Sequence, residues 1–252
     1  MIMKSRPIWL TVYAVVILSL LIMMNALNAM LQGSAYTKRL VLDGIDVNDM
    51  SAYYAMGEYY PPNNIDTLNV SWQGGRVEII AYDNDEYFVE EAATRQLSDD
   101  ERLSYSFEGN TFSLYFTSDE SVEIDDAYKK VEIRVPRSIA NNLKTVNVAS
   151  NGEVVMRNIT AESITVSTTE GEVRCGNVYS DAMTVQTVSG DVELSMTEGT
   201  GFELMLDSDK GNFKSDLELT EQDGKYIYTD GKYKLSVSTR SGSIFIKDNS
   251  DA

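Results

Sequence analysis

Histidine is absent from the 252 residues, cysteine occurs once, proline four times, and only 21 lysines and arginines stand against 39 aspartates and glutamates. Each shortage excludes something. Without imidazole the chain lacks the usual general base, the commonest zinc ligand and every triad built on histidine. The lone Cys175 rules out an internal disulfide and a CxxC redox or metal site. A net charge of −18 repels phosphate backbones, which argues against a nucleic-acid partner.

Charge of either sign is also missing from Pro7 to Leu31, and that run is long enough to cross a ~30 Å hydrocarbon layer as a helix. It predicts a single-pass membrane anchor at 1–33, uncleaved because it exceeds the ~7–15 apolar residues of a signal peptide, although Gly33-Ser34-Ala35 has the small residues of a cleavage site. Lys4 and Arg6 precede the span and acidic residues follow it. The positive-inside rule therefore places the N-terminus in the cytoplasm and the rest outside. Asn25 and Asn28, three apart on one helix face, are candidates for bonding a neighbouring helix or for touching water and headgroups at the outer interface.

All 39 acids fall after the anchor, with 19 of the basic residues, so the exported part carries −20. Acidic blocks such as Asp83-Asn84-Asp85-Glu86 raise the question of calcium, but Phe88 stands where an EF-hand loop needs glycine, and solvated loop charge is the expectation. No cofactor or metal is expected.

What is present is a repeat. Ile164 to Cys175 reads ITVSTTEGEVRC, and nineteen residues on, Met183 to Leu194 reads MTVQTVSGDVEL. With each glycine as origin, apolar residues fall seven and five places before it and two and four after it: Ile164, Val166, Val173 and Cys175 about Gly171, and Met183, Val185, Val192 and Leu194 about Gly190. Gly242 and Gly75 repeat the scheme, Gly152 follows it one residue short, and Gly211 has Ser215 where an apolar residue belongs. Period-two alternation predicts strands with one buried side, and each glycine is expected to supply the positive φ of a tight turn between two strands. Such a unit cannot cover its own apolar face, so units of about 19 residues are expected to stack into an all-β repeat solenoid, a β-helix-like roll over 67–252. Cys175 shares the inward register and should behave as a small hydrophobe.

Between anchor and repeat, residues 34–66 read as a juxtamembrane linker rich in tyrosine, with a short helix around Met50 to Tyr60, ended by Pro61-Pro62-Asn63-Asn64. Arg102 to Thr117 alternates as a hairpin about Gly109-Asn110, and KVEIRVP (130–136) reads as a strand stopped by its proline. Strand edges at the two ends of the stack would be adhesive unless covered.

An N-terminal anchor, the unit LNVSWQGGRVEIIAYDN, the central KVEIRVPRSIANNLKTVNVASNGEVVM and successive TxxGxV units together resemble the bacterial putative adhesin family of β-strand repeat domains, once grouped only as a domain of unknown function. The resemblance spans roughly residues 65 to 248 and implies an all-β ectodomain at the cell surface, with no catalytic residues to carry over. Three functional classes follow. The first is a non-enzymatic, membrane-anchored surface-binding or scaffolding module with a protein or glycan partner. The second is a regulatory ectodomain that senses envelope stress or docks a membrane protein, and the third is a carboxylate-based enzyme. The outward acids Glu153, Glu172 and Asp191 sit beside turns, where solubility explains them, so no catalytic site is assigned.

Overall fold

The structure, a computed structural model, describes residues 54–116 and 129–249. The two halves of each repeat copy do not pair with each other as a hairpin. The strand before the glycine enters one sheet, the front sheet, as β2 (Thr67–Trp72), β8 (Leu143–Ser150), β10 (Thr160–Thr168), β12 (Tyr179–Thr187), β14 (Phe202–Ser208) and β18 (Tyr233–Thr239). The strand after it enters a second, back sheet, as β3 (Gly75–Tyr82), β9 (Val154–Arg157), β11 (Val173–Gly176), β13 (Val192–Met196), β15 (Phe213–Ser215) and β19 (Ile244–Asp248). A seventh pair, β6 (Thr111–Phe116) and β7 (Lys129–Pro136), is arranged likewise without the central glycine.

Each copy is thus one rung, and rungs pair in parallel with their neighbours. Val166 lies opposite Val185 in the front sheet and Val173 opposite Val192 in the back sheet, the nineteen-residue interval of the repeat expressed as register. The inner faces of both sheets supply one continuous core, in which Val166, Val185, Val173 and Val192 are fully buried and Val237 and Ile244 nearly so. At ~1.5–3 kcal/mol for each fully buried aliphatic side chain, this shared interior is what makes single rungs cohere. Cys175 is buried there, and burial pushes its thiol pKa up to about 12, so it stays protonated and inert.

The glycines are needed for a different reason from the one the turn pattern suggested. Of the six, only Gly75 has a positive φ, 127°. They stand instead in a column at the corner where the chain passes from front to back sheet. A Cβ on Gly152 would lie 2.1 Å from the carbonyl oxygen of Gly75, one on Gly171 1.9 Å from that of Gly152, and one on Gly190 2.0 Å from that of Gly171. Gly242 meets Gly190 at 1.9 Å and Gly211 meets Gly242 at 1.7 Å in the same way. Backbone rests on backbone at this corner, and no side chain fits between the layers. A hydroxyl three residues earlier completes the turn: the amides of Gly190 and Gly242 donate to Oγ1 of Thr187 and Thr239, each at 2.9 Å, and that of Gly211 to Oγ of Ser208 at 3.0 Å. This is the physical content of the TxxG pattern.

The rungs are not stacked in chain order, as a simple solenoid requires. The front sheet runs β14-β18-β12-β10-β8-β2-β6, so the second rung lies outside the first at one end, and the last rung slots inside its predecessor at the other. The long gap between Gly211 and Gly242 is spent on this excursion: β16 (Thr220–Gln222) and β17 (Lys225–Tyr228) form a hairpin that adds antiparallel strands outside β14. At the opposite end β5 (Ser104–Glu108) pairs antiparallel with β6 through the expected turn, where Gly109 has φ 61°. In the back sheet β4 (Phe88–Ala93) pairs antiparallel with β7, and β1 (Tyr54–Tyr59) pairs antiparallel with β4 at the edge. The segment 54–59 is therefore a strand and not part of the helix suggested for residues 50–60, because its pairing with β4 outweighs a weak local preference. Pro136 ends β7 and leads into the single turn α1 (Arg137–Ala140). Among the described residues no helix is long and apolar enough to cross a membrane. The run from Pro7 to Leu31, with Asn25 and Asn28, lies outside them.

Two glycine-to-alanine changes test the column. Gly171→Ala should cost ~3 kcal/mol or more in chemical denaturation, since the clash is with backbone that cannot move aside. Gly176→Ala, whose Cβ would have only Arg157 Cγ at 4.0 Å, should cost less than ~1 kcal/mol.

Candidate ligand-binding face

Because side chains alternate along each strand, the same register that builds the core also builds two outer faces, and the two differ in chemistry. The back face is a ladder of ion pairs. Arg174 reaches Glu153 at 2.9 Å and Glu172 at 2.5 Å, Arg157 reaches Glu78 at 3.3 Å, Lys130 reaches Glu132 at 3.1 Å, and Lys247 reaches Glu193 at 2.6 Å. Glu153 and Glu172, expected to be solvated turn charges, are thus tied to arginine across and along the rungs. Val155 points the same way and is buried between Glu78 and Arg174 of the adjacent strands.

Three rows of the front face carry no charge over five consecutive strands. One row reads Tyr115, Ser71, Ala149, Ser167, Gln186, the next Ser113, Asn69, Asn147, Thr165, Thr184, and the third Thr111, Thr67, Thr145, Ser163, Ala182. Charge borders these rows: exposed Lys144, Glu162 and Asp181 precede the third row within β8, β10 and β12, and Lys234, Glu203 and Asp207 lie on the strands beyond. The side chains bond along the row: Asn147 Nδ2 donates to Asn69 Oδ1 at 2.9 Å, and Asn69 Nδ2 to Ser113 Oγ at 3.5 Å. Beside exposed Tyr115 the small Ala149 leaves a depression of about 320 Å³, bordered by Asn69, Asn147 and Thr165. Among the described residues no group of three or more His, Cys, Asp or Glu could hold a metal ion. Asp83, from the acidic block considered for calcium, pairs with Arg137 at 2.5 Å.

Two further constellations escaped the sequence reading. Opposite the glycine corner stands a column of amides: Asn158 and Asn177, both in the left-handed region with φ 56° and 53°, and Asn249, linked by Asn177 Nδ2 to Asn158 Oδ1 at 3.2 Å and Asn249 Nδ2 to Asn177 Oδ1 at 2.9 Å. The nineteen-residue spacing of Asn158 and Asn177 was the available signal. The other is a buried ion pair at the β4–β7 end, where Lys129 and Glu91, both fully buried, meet at 2.8 Å. Lys129 Nζ also donates to the carbonyl of Glu101 at 2.5 Å and lies 3.2 Å from the centre of the Phe116 ring. Burial lowers the Lys129 pKa, with Glu91 opposing that shift. Strand parity places Lys129 in line with inward Val131 and Ile133, and that alternation could have exposed it.

A family profile described as Toastrack DUF4097 matches residues 61–252. The chain belongs to that family. No curated protein matches this Toastrack chain. Among solved structures it is similar to a "putative cell adhesion protein" from Clostridium sporogenes ATCC 15579, with 11% identity, a TM-score of 0.58, and coverage of 78% of this chain and 100% of that one. A "putative adhesin" from Bacteroides fragilis NCTC 9343 matches at 13% identity and a TM-score of 0.33, over 78% of this chain and 96% of that one. At 11% identity the likeness to the Clostridium sporogenes protein speaks to fold alone.

Two measurements bear on the Lys129 end. Glu91→Gln should destabilise this Toastrack chain by ~3–5 kcal/mol by stranding a buried ammonium, whereas Lys129→Met with Glu91→Leu should recover most of the loss. Glu101 is held at about 2 by hydrogen bonds from Arg95, with Ser98 adding to them. Because its folded pKa lies below the ordinary 4.5, the stability it lends is complete above pH 4.5 and fades as pH falls towards 2. Glu101→Gln should flatten the acid limb of a stability–pH curve across that window.

Proposed function

We propose that the chain is a non-catalytic binding module, held at the outer side of a membrane by its apolar N-terminal segment, with the front face of the stack as its contact surface. The observation that carries this reading is the segregation of charge. In a chain of net charge −18, three rows across five adjacent strands present only hydroxyl, amide, methyl and phenol groups, bordered by Lys144, Glu162 and Asp181, while the other face is laced with ion pairs. Solubility alone calls for charge on both faces of a stack; a face from which charge is withheld is one that loses its water to a partner. The adhesion role named for the Clostridium sporogenes protein is consistent with this assignment. Adhesin-like surface binding through a rigid displayed sheet needs no residue of unusual acidity, and the three rows offer hydroxyls, amides and a phenol for hydrogen bonding.

Two arms test the reading. In cells producing the full chain, protease added outside should remove the stack and leave the N-terminus protected; protection of the stack defeats the proposed topology. The detergent-solubilised full chain should co-sediment with isolated cell envelopes. Thr165→Lys, placing a charge mid-row, should reduce that recovery at least fivefold, and Arg174→Glu on the back face should leave it unchanged. Equal losses from the two substitutions would remove the front face from consideration.

A further inference from the structure

Resting on that assignment of the front face, we infer that its ligand is an uncharged, extended polysaccharide lying across the strands, with a sugar ring seated against Tyr115. Three observations select this occupant. First is charge. A partner bearing ionic groups gains nothing from rows that offer no counter-charge, and an anionic one is repelled by the −18 of the whole. An acyl chain or an apolar helix fares no better, because it would cover Ser71, Asn69, Asn147, Thr165 and Ser167 without returning their hydrogen bonds. What suits rows of hydroxyls and amides, each both donor and acceptor, is a surface equally dense in hydroxyls. The Asn147 to Asn69 bond uses one donor hydrogen and one lone pair, out of two donor hydrogens and an acceptor oxygen with two lone pairs on each amide.

Second is period. Neighbouring strands lie ~4.8 Å apart, so a polymer crossing them meets the same chemistry once per rung. The repeat along an extended hexopyranose chain is close to that spacing, and successive rings can present hydroxyls to successive strands from β2 through β12. A folded protein without stacked strands has no such translational repeat to match.

Third is the seat at the end of the row. Tyr115 is 42% exposed, and Ala149, two strands away in its own row, leaves the depression of about 320 Å³ open beside it. An aromatic ring next to amides offers the C–H face of a pyranose an apolar wall while its equatorial hydroxyls reach Asn69 and Asn147. The depression is large enough for one to two sugar rings, at the lower end of the range for small-molecule sites.

Native gels containing a polysaccharide and a polyoxyethylene detergent test this with the full chain. The probes are hydroxyethylcellulose and glucomannan as extended neutral chains, dextran as a flexible neutral one, and alginate as an anionic one. Retardation is expected with an extended neutral chain, weaker with dextran and absent with alginate. Tyr115→Ala and Thr165→Lys should each weaken it at least tenfold while circular dichroism and the thermal midpoint show the fold retained, and Arg174→Glu should leave it unaltered. Envelope binding that still depends on Thr165, without retardation by any neutral glycan, overturns the ligand class and leaves the binding face standing. Preference for alginate, or a face-to-face dimer in solution abolished by Thr165→Lys, also overturns it. Loss of both glycan and envelope binding dependence on the front face removes the underlying assignment as well.

Discussion

At one corner of every repeat, backbone lies directly on backbone, and the rest of the molecule inherits its alignment from that contact. Six glycines, following the order of the rungs and not the order of the chain, let each turn settle on the carbonyl of the one beneath. Register in both sheets is pinned there, since a shift of one residue would push a Cβ into a neighbouring carbonyl and turn every valine of that strand outward. The hydroxyls of Thr187, Thr239 and Ser208 hold the turn from within by accepting the glycine amides, and at Thr187 and Thr239 this satisfies a buried N–H.

A register shared by seven rungs gives rows as well as a core. On the back, alternation lines up acids and bases so that Arg174 spans Glu153 and Glu172, and the ladder screens Val155 beneath it. On the front, the same arithmetic aligns Asn69 with Asn147 and Thr165 with Thr184. A mixed face would have given any ligand a patchwork of desolvation costs. A uniform one presents a periodic surface whose hydroxyls and amides can be exchanged from water to a hydroxyl-rich partner with little penalty.

The ends required another solution. Parallel rungs terminate in open edges, and the chain sends its second and second-to-last rungs outermost and adds antiparallel strands at three of the four ends, leaving the short β15 at the edge of the back sheet. Leaving the repeat has a chemical consequence at the β7 end, where the inward register meets Lys129 and Glu91 in place of two hydrophobes. Their pairing, the Glu101 carbonyl and the Phe116 ring together make a buried charge tolerable at a place where the stack changes from repeated to irregular packing.

Period-two alternation about Gly171, Gly190 and Gly242 was enough to read an all-β repeat, its buried stripe and the inward Cys175, because side-chain direction in a strand follows from parity alone. The TxxG turns were visible as a pattern, though the reason for glycine was not, since steric contact between layers involves residues 19 to 77 positions apart. The rows of the front face were equally hidden: Tyr115, Ser71 and Ala149 are neighbours only once β6, β2 and β8 lie side by side, an order that chain sequence does not imply. Local periodicity thus belonged to the sequence, because it depends on each strand's own covalent geometry. The order of the rungs, and with it the three uncharged rows and the buried Lys129, was decided by tertiary structure, because it depends on which edges the chain must cover.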